Sequence, residues 1–257
     1  MNATNSIFRI FSFFLVLFIT INSAAQTRQE IYFNEQWTFK GTSITGTHVI
    51  ETVDLPHTWN NKDAQEGIKY LRSVGMYTKR FPADPSWVGK RVFIRFEGVN
   101  ITASVKVNDN EIGVHKGGYA AFCYELSEHL RFDEDNTVEV TVSNEENLEV
   151  IPLVGDFNNY GGIYRPVSLL VLNPICITPL DYASSGIFIT QKNVSEQQAT
   201  VEVLTKISNG SDSDSKISYR AIILDQNGEE VASRSSDHAL AMDQNEFVHS
   251  LKLVQYL

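Results

Sequence analysis

The stretch Thr137-Val-Glu-Val-Thr-Val-Ser143 decides the fold class of this chain. Its valines take every second position, and polar residues take the positions between them. This period-two alternation is typical of a half-buried β-strand, whose successive side chains point to opposite faces of a sheet. The same reasoning predicts strands over 91–96, 103–107, 167–172, 201–207, 217–223 and 247–254. Since no long helical period lies between them, we expect an all-β protein built of β-sandwiches.

Turn residues separate the predicted strands. Asn108-Asp-Asn110 predicts a β-hairpin between two of them, and Asp225-Gln-Asn-Gly228 predicts another further along the chain. Residues 126–130 predict a single helical turn. The run 208–215, rich in Ser, Asn and Asp, predicts an exposed tip between two strands.

The composition excludes several classes of protein. With 42% apolar and 20% charged residues over 257 positions, the chain can bury a hydrophobic core and does not resemble a disordered protein. Lys and Arg number 21 against 31 Asp and Glu, so the formal charge is −10. That charge argues against a nucleic-acid partner, because phosphate contacts need a basic patch. Two cysteines cannot form a disulfide-dense scaffold or a four-cysteine zinc site.

The first 25 residues have the pattern of a secretory signal peptide. Arg9 precedes an apolar run over 10–21, and the small residues Ser23 and Ala25 stand at −3 and −1 of a cleavage site after residue 25. A membrane anchor is the alternative, but a span needs about 20 apolar residues. We therefore expect an exported protein, periplasmic or secreted, with no membrane span in the mature chain.

The predicted strand 167–172 is followed by Asn173-Pro and Thr178-Pro, which suggest a domain boundary. We expect a β-sandwich domain over 26–178 and an immunoglobulin-like β-sandwich over 181–257. The second segment is shorter than the roughly 100 residues of an immunoglobulin-like domain. The sequence also stops directly after a predicted strand, so we expect this domain to be truncated and the chain to be a fragment.

Five segments carry a more specific signal, and they occur in a fixed order. They are Val53-Asp-Leu-Pro-His-Thr-Trp-Asn60, Gly75-Met-Tyr-Thr-Lys-Arg-Phe81, the apolar and glycine-rich series from Phe96 to Phe122, Asn136 to Asn144, and Asp156-Phe-Asn-Asn-Tyr-Gly-Gly-Ile-Tyr-Arg165. Together they resemble the amino-terminal sugar-binding domain of glycoside hydrolase family 2, which includes β-galactosidases, β-glucuronidases and β-mannosidases. In detail the segments look most like bacterial β-galactosidases of that family. Asp109 stands where the family usually has Gly in the hairpin, and Asp tolerates the left-handed conformation of such a turn.

The resemblance implies a jelly-roll, galactose-binding-like β-sandwich followed by an incomplete immunoglobulin-like β-sandwich. It also implies a retaining hydrolase of O-glycosyl bonds in carbohydrate metabolism, acting on terminal β-linked sugars, above all β-galactosides. In that family the two catalytic glutamates lie in a separate (β/α)₈ barrel, and the sequence stops before one. No catalytic residue is therefore assigned, and the chain alone is expected to be inactive. No cofactor is expected in it; sodium or magnesium is an option only in the complete enzyme.

The resemblance also singles out substrate-binding candidates. Asp156 would complete the sugar pocket of the barrel, touching galactose hydroxyls or a bound sodium ion; the alternative is that it organises its own loop or pairs with Arg165. Asn158 and Tyr160 lie beside it and are candidates for hydrogen bonding and stacking. Arg72 occupies the position where some relatives have a sugar-contacting Asn, so that contact is not expected here.

Other residues admit two interpretations. Trp59 is a sugar-stacking platform or, as we favour, a side chain packed between domains. His115 is expected to be a loop histidine with satisfied hydrogen bonds, and nothing in its spacing to His57 predicts a metal site. Export permits a disulfide between Cys123 and Cys176, but two separate core thiols fit equally well.

Three functions remain open at this point. The chain is the non-catalytic front of an exported glycoside hydrolase, with carbohydrate and the missing catalytic barrel as its partners. Alternatively it is a stand-alone secreted carbohydrate-binding module or adhesion protein. The third hypothesis is a structural partner that docks onto a separate barrel polypeptide.

Overall fold

The computed structural model describes residues 28–63, 65–67, 70–151 and 158–254. The predicted signal peptide and Asp156 lie outside the described residues. The strands are β1 (Arg28–Tyr32), β2 (Trp37–Thr42), β3 (His48–Val53), β4 (Val74–Pro82), β5 (Arg91–Phe96), β6 (Thr102–Val107), β7 (Asn110–Lys116), β8 (Phe122–Glu125), β9 (Asp135–Ser143), β10 (Val167–Leu172), β11 (Ile175–Ile177), β12 (Ile187–Lys192), β13 (Gln198–Asn209), β14 (Ser215–Leu224), β15 (Glu230–Leu240) and β16 (Asp243–Val254). Short 3₁₀ helices span Pro85–Trp87 and Ser127–His129. The all-β prediction is confirmed.

The expected helical turn is the 3₁₀ helix Ser127–His129. In the described part of the chain, no helix is long and apolar enough to cross a membrane.

Two antiparallel sheets form the first half of the molecule. One has the order β3-β2-β4-β9-β6-β7 and the other the order β1-β10-β5-β8. They face each other across one core, to which the first sheet contributes Trp37, Tyr77 and Val140 and the second contributes Ile94 and Leu169. This layered arrangement is a β-sandwich, as the alternating strands predict.

Strand β9 shows why the sequence folds in this way. Val138, Val140 and Val142 are fully buried, whereas the Thr and Glu residues between them are not. β9 pairs with β4 on one side and with β6 on the other, so it lies in the middle of the six-stranded sheet. The alternation therefore puts one face of the strand into the core.

The predicted hairpin at Asn108 joins β6 to β7. Val107 pairs with Asn110, so Asn108 and Asp109 form a two-residue turn, and both have positive φ values, 47° and 69°. This is the geometry of a type I′ turn, whose twist matches that of the strands. Asp109 therefore takes the left-handed conformation expected of it.

The four-stranded sheet is buried on both faces. In β10, Val167, Leu169 and Val171 join the main core, whereas Leu170 and Leu172 pack on the opposite face against the segment 176–183. All six residues of β10 are consequently buried. The chain after β10 thus folds back over the sandwich.

Both cysteines belong to this outer apolar cluster, and they are separate thiols. The cysteines are therefore separate thiols, Cys123 buried and Cys176 half-buried at the edge of the cluster. Burial raises the pKa of the Cys123 thiol to about 12.

The second half of the molecule has two further sheets. β13 pairs with β11 and β12 along one edge and with β16 along the other, and β14 pairs with β15. Val203 on β13 packs against Ala221 on β14, and the hydroxyl groups of Thr205 and Tyr219 lie 2.8 Å apart. The two sheets therefore face each other over a small core. The domain limits 26–178 and 181–257 and the immunoglobulin-like class remain predictions.

The run 208–215 is exposed over part of its length, as predicted, since Gly210 and residues 212–214 are exposed. It does connect β13 to β14, but β13 extends to Asn209, and both Ser208 and Asn209 are buried. The Asn209 amide is held by the carbonyl groups of Ser213 and Leu240. Polar composition suggested exposure, whereas hydrogen bonds within the turn satisfy the buried polar groups.

Candidate functional site

Four segments meet at one end of the first sandwich, where the sequence predicts the sugar-binding residues. They are 57–60 after β3, 71–73 before β4, Asn144 after β9, and 158–164 before β10. We call this region the loop edge. It brings together pieces of the first, fourth and fifth sequence motifs.

Asn60 organises the loop edge from inside. It is 1% exposed, and its Nδ2 lies within 3.2 Å of three acceptors, the carbonyls of Leu71 and Asn159 and the Oδ1 of Asn158. Its Oδ1 accepts a hydrogen bond of 2.9 Å from the backbone N–H of Gly161. One buried amide therefore ties three segments together.

Asn144 makes a second clamp of the same kind. It is fully buried, and its Oδ1 accepts from the backbone N–H of Ser73 at 2.7 Å. Its Nδ2 donates to the carbonyls of Leu71 and Asn159, at 3.0 and 2.9 Å. The guanidinium of Arg72 donates to the Asn144 carbonyl. With Asn60, this side chain fixes the backbone beside Tyr160.

Glycines allow the closest approach at the loop edge. Gly162 has φ +132°, and a Cβ there would lie 2.5 Å from the His57 carbonyl and 2.6 Å from the Tyr77 hydroxyl oxygen. A Cβ on Gly161 would lie 2.2 Å from the Trp59 ring. Both glycines are thus required by the packing of the loop on the motif around His57.

Trp59 packs inside the first sandwich. Its indole stacks on Phe39 with ring centroids 5.8 Å apart and 14° between the planes, and it also contacts the loop at Gly161. Trp59 is half-buried, and these contacts support the structural role favoured from the sequence, whereas its packing between domains remains a prediction.

His57 is anchored rather than free. Its Nδ1 lies 2.8 Å from the Tyr77 hydroxyl oxygen, and its Nε2 lies 3.8 Å from a carboxylate oxygen of Glu51. Burial lowers the pKa of His57, and the negative charge of Glu51 opposes that shift. Burial also raises the pKa of Tyr77, so the phenol stays protonated at neutral pH.

His115 does not behave as expected from the sequence. It lies on β7 rather than in a loop, and its ring stacks on Phe122 with centroids 4.1 Å apart. Its Nε2 is buried and has no hydrogen-bond partner among the described residues. Burial lowers its pKa, opposed by a hydrogen bond with the backbone of Gly117. The prediction of a satisfied loop histidine is therefore wrong.

The structure places two of the three predicted substrate-binding residues at the loop edge. Asn158 exchanges hydrogen bonds of 3.1 Å with Asn60, donating to its carbonyl and accepting from its amide, so part of its capacity is used within the protein. Tyr160 is 47% exposed and presents its ring at the surface. The structure does not describe Asp156. Arg165 lies 3.9 Å from Glu97, its ion-pair partner.

Exposed apolar side chains lie in two further loops of the first sandwich. Leu148 and Ile151, in the loop after β9, are 87% and 80% exposed, and Tyr119 after β7 is also exposed. An ion pair between Lys116 and Glu149 ties these two loops together. Such a cluster is typical of a surface that another protein domain covers.

Little in the sequence points to the two asparagine clamps. Asn60 ends the first motif and Asn144 follows a strand, yet neither position was singled out as a site residue. Among the described residues, no three His, Cys, Asp or Glu side chains come together as a metal site.

Comparison with known proteins identifies the family to which the chain is similar. The family model described as the sugar binding domain of glycosyl hydrolases family 2 matches residues 22–173. The chain is 46% identical to a β-glucuronidase of Bacteroides fragilis over 200 residues, which cover 77% of this chain and 28% of that protein. It is 30% identical to a β-galactosidase of Bacteroides ovatus over 226 residues, covering 82% of this chain and 25% of that protein.

Solved structures show the same relation. A crystal structure from Bacteroides fragilis that carries the provisional name β-galactosidase superposes with a TM-score of 0.83 at 36% identity, covering 89% of this chain and 36% of that one. The crystal structure of a Bacteroides uniformis β-glucuronidase gives a TM-score of 0.82 at 26% identity, covering 88% and 28%. The chain therefore spans about a third or less of these proteins.

Proposed function

Because this chain belongs to glycoside hydrolase family 2, we propose that its loop edge completes the sugar pocket of a β-glycosidase whose catalytic barrel lies outside the sequence considered. The chain corresponds to the amino-terminal, non-catalytic portion of such an enzyme, since it spans 28% of the Bacteroides fragilis relative. The observation that carries the proposal is the convergence of Asn158 and Tyr160 on a surface fixed by two buried asparagines.

The geometry of the loop edge suits an auxiliary role in sugar binding. An exposed tyrosine ring offers an apolar face and a hydroxyl group, which suits the C–H and O–H groups of a pyranose. Asn158 is held by Asn60, so whatever bond it makes to a sugar has a fixed direction. The exposed Leu148 and Ile151 give the barrel an apolar surface to cover.

We propose a terminal β-linked sugar as the substrate of the complete enzyme, with a β-galactoside as the first candidate. A β-glucuronide is the second, because the relative with 46% identity is a β-glucuronidase. Asp156 remains the proposed contact to sugar hydroxyls or to a sodium ion. Specificity between the two sugars depends on groups in the barrel. These groups either accommodate or reject the carboxylate that a glucuronide carries and a galactoside lacks.

The substrate is tested by assaying the complete enzyme with nitrophenyl β-galactoside and nitrophenyl β-glucuronide. Tyr160→Ala should lower kcat/KM about tenfold on the preferred substrate, because a contact worth about 1.4 kcal/mol is lost. Tyr32→Ala is the matched control, since Tyr32 is exposed on β1. Equal activity of both variants, or strong glycan binding by this chain with no barrel in the complete protein, would contradict the proposal in favour of a stand-alone binding module.

We propose that the protein is exported, because the pattern of Arg9, the apolar run 10–21 and Ser23 and Ala25 is that of a signal peptide. Amino-terminal sequencing of the protein from a periplasmic or culture fraction should begin at Gln26. A protein that keeps residues 1–25 in the cytoplasmic fraction would contradict export.

A further inference from the structure

We propose that the cavity between the first sandwich and the end of β13 binds a neutral saccharide, at a site separate from the loop edge. The cavity has a volume of about 650 Å³. Arg91 and Glu125 line it from the four-stranded sheet, and Ser208 to Gly210 line it from β13. Ligand sites typically have volumes of about 300–1,000 Å³ and occur preferentially at interfaces between domains.

A partly buried ion pair forms the floor of this cavity. The Arg91 side chain is 11% exposed, and its Nε and Nη2 donate to the two carboxylate oxygens of Glu125 at 2.9 and 2.6 Å. Its Nη1 donates to the Ser208 hydroxyl at 2.6 Å, and Glu125 also accepts from the Ser127 hydroxyl. The floor is therefore rigid before any ligand arrives, which reduces the entropy lost on binding.

Groups that line the cavity can form further hydrogen bonds to a ligand. A carboxylate can accept about four hydrogen bonds, and the structure shows three to Glu125. Lys90 donates one bond to Asn173, so its ammonium has further N–H groups to offer. A sugar hydroxyl both donates and accepts, and can bond to groups of both kinds.

The charged side chains that line the cavity favour a neutral ligand over a charged one. Lys90 and Arg91 are balanced by Glu125 and Glu128, all of which line the cavity. A uronate would be attracted by two of these groups and repelled by the other two, and its carboxylate would lose hydration on entry. A neutral sugar avoids that cost, and Leu180 gives its C–H groups an apolar surface.

The cavity lies at the opposite end of β5 from the loop edge. Arg91 begins the strand and Phe96 ends it, and shortly after Phe96 the chain pairs Asn100 with Gly162 of the loop edge. At about 3.3 Å per residue the strand alone separates the two regions by roughly 17 Å. A ligand in this cavity is consequently not the sugar of the proposed catalytic pocket.

Calorimetric titration of the purified chain with methyl β-galactopyranoside tests this inference. Binding should be observed with a Kd near 1 mM, and sodium glucuronate should bind at least about tenfold more weakly. Glu128→Gln and Lys90→Met should each weaken galactoside binding about fivefold or more, since the first replaces a charged acceptor oxygen with an amide donor and the second removes the ammonium donors. Glu229→Gln, at the exposed β14–β15 turn, is the control for the loss of one carboxylate and should change nothing.

Two results would overturn the inference. One is the absence of binding of the galactoside at concentrations well above 1 mM. The other is binding that Tyr160→Ala abolishes while Glu128→Gln and Lys90→Met leave it unchanged, because the ligand would then sit at the loop edge. Amide chemical shifts of Ser208 to Gly210 give an independent readout, and they should move on titration.

Discussion

At the scale of single residues, the loop edge depends on a few groups that have no substitute. Asn60 and Asn144 each satisfy backbone groups of segments far apart in sequence, and Gly162 lets the loop touch the His57 carbonyl. Buried amides of this kind are costly to remove, because their partners are left without hydrogen bonds. Substitutions here should therefore act on stability before they act on binding.

Gly162→Ala should lower the free energy of unfolding by about 3 kcal/mol. The new Cβ would combine an unfavourable φ with a contact of 2.5 Å to backbone that cannot move aside. Gly89→Ala is the control, because Gly89 also has positive φ, +75°, but nothing lies within 4 Å of its Cβ position. Urea unfolding measures both, and a loss for Gly162→Ala no larger than that for Gly89→Ala would contradict the steric argument.

His115 should make the stability of the protein depend on pH. Burial lowers its folded pKa below the unfolded value, so the unfolded chain binds the proton more tightly. The contribution of neutral His115 to folding stability is present above the unfolded pKa of about 6.5, and it is lost as the pH falls below that value. His57 should act in the same direction.

Replacing His115 with Phe separates its contribution from that of His57. His115→Phe should change stability at pH 7 by less than about 1 kcal/mol, because the stack on Phe122 is kept and the buried Nε2 without a partner in the described structure is removed, while the hydrogen bond with the Gly117 backbone is lost. It should also reduce the loss of stability between pH 7 and pH 5. Urea unfolding midpoints at the two pH values measure this, and an unchanged difference between them would contradict the assignment.

At the scale of elements, period-two alternation predicted the strands, and turn chemistry predicted the hairpins. β5 and β10 have the bounds expected from the sequence, Arg91–Phe96 and Val167–Leu172. Other strands extend beyond their predicted ends, for instance β13 into Asn209. A strand ends where its partner strand ends. Because the partner is distant in sequence, the residues of the strand itself do not show where that is.

The β6–β7 hairpin yields a prediction at this scale. Asp109→Gly should raise the free energy of unfolding by up to about 1 kcal/mol, because Asp109 has φ +69° in a type I′ turn that favours Asn-Gly. The comparison is Asp225→Gly, which should destabilise, since the Asp225 side chain accepts from the backbone of Asn227 and Glu229. Thermal unfolding of both variants measures the effect, and changes of equal sign would contradict the turn assignment.

At the scale of the whole molecule, an apolar contact and a hydrogen bond join the first sandwich to the rest of the chain. The outer face of the four-stranded sheet packs under residues 176–183, and Arg91 reaches across to Ser208. A salt bridge of 3.3 Å between Lys206 and Asp181 holds the segment after β11 to β13. The two halves should therefore unfold together.

Arg91→Met should uncouple the two halves. It keeps the apolar stem but leaves the partly buried Glu125 without its cation, which should cost about 2–4 kcal/mol. Differential scanning calorimetry should show the single transition of the parent chain split into two. Arg80→Met is the control, because Arg80 is exposed and its pairing with Asp135 is loose. A single sharp transition at the original temperature would contradict the role of Arg91.

The sequence by itself determined the all-β class, the principal strands, both hairpins and the family, because alternation and turn residues act over a few neighbouring positions. Only the tertiary structure decided the burial of Ser208, the position of His115 and the clamps at the loop edge. Asn60 and Asn158 are 98 positions apart, and Asn144 and Leu71 are 73 apart. Such partners are chosen by how the sheets pack, since a buried polar group takes whichever donor or acceptor the folded backbone brings to it.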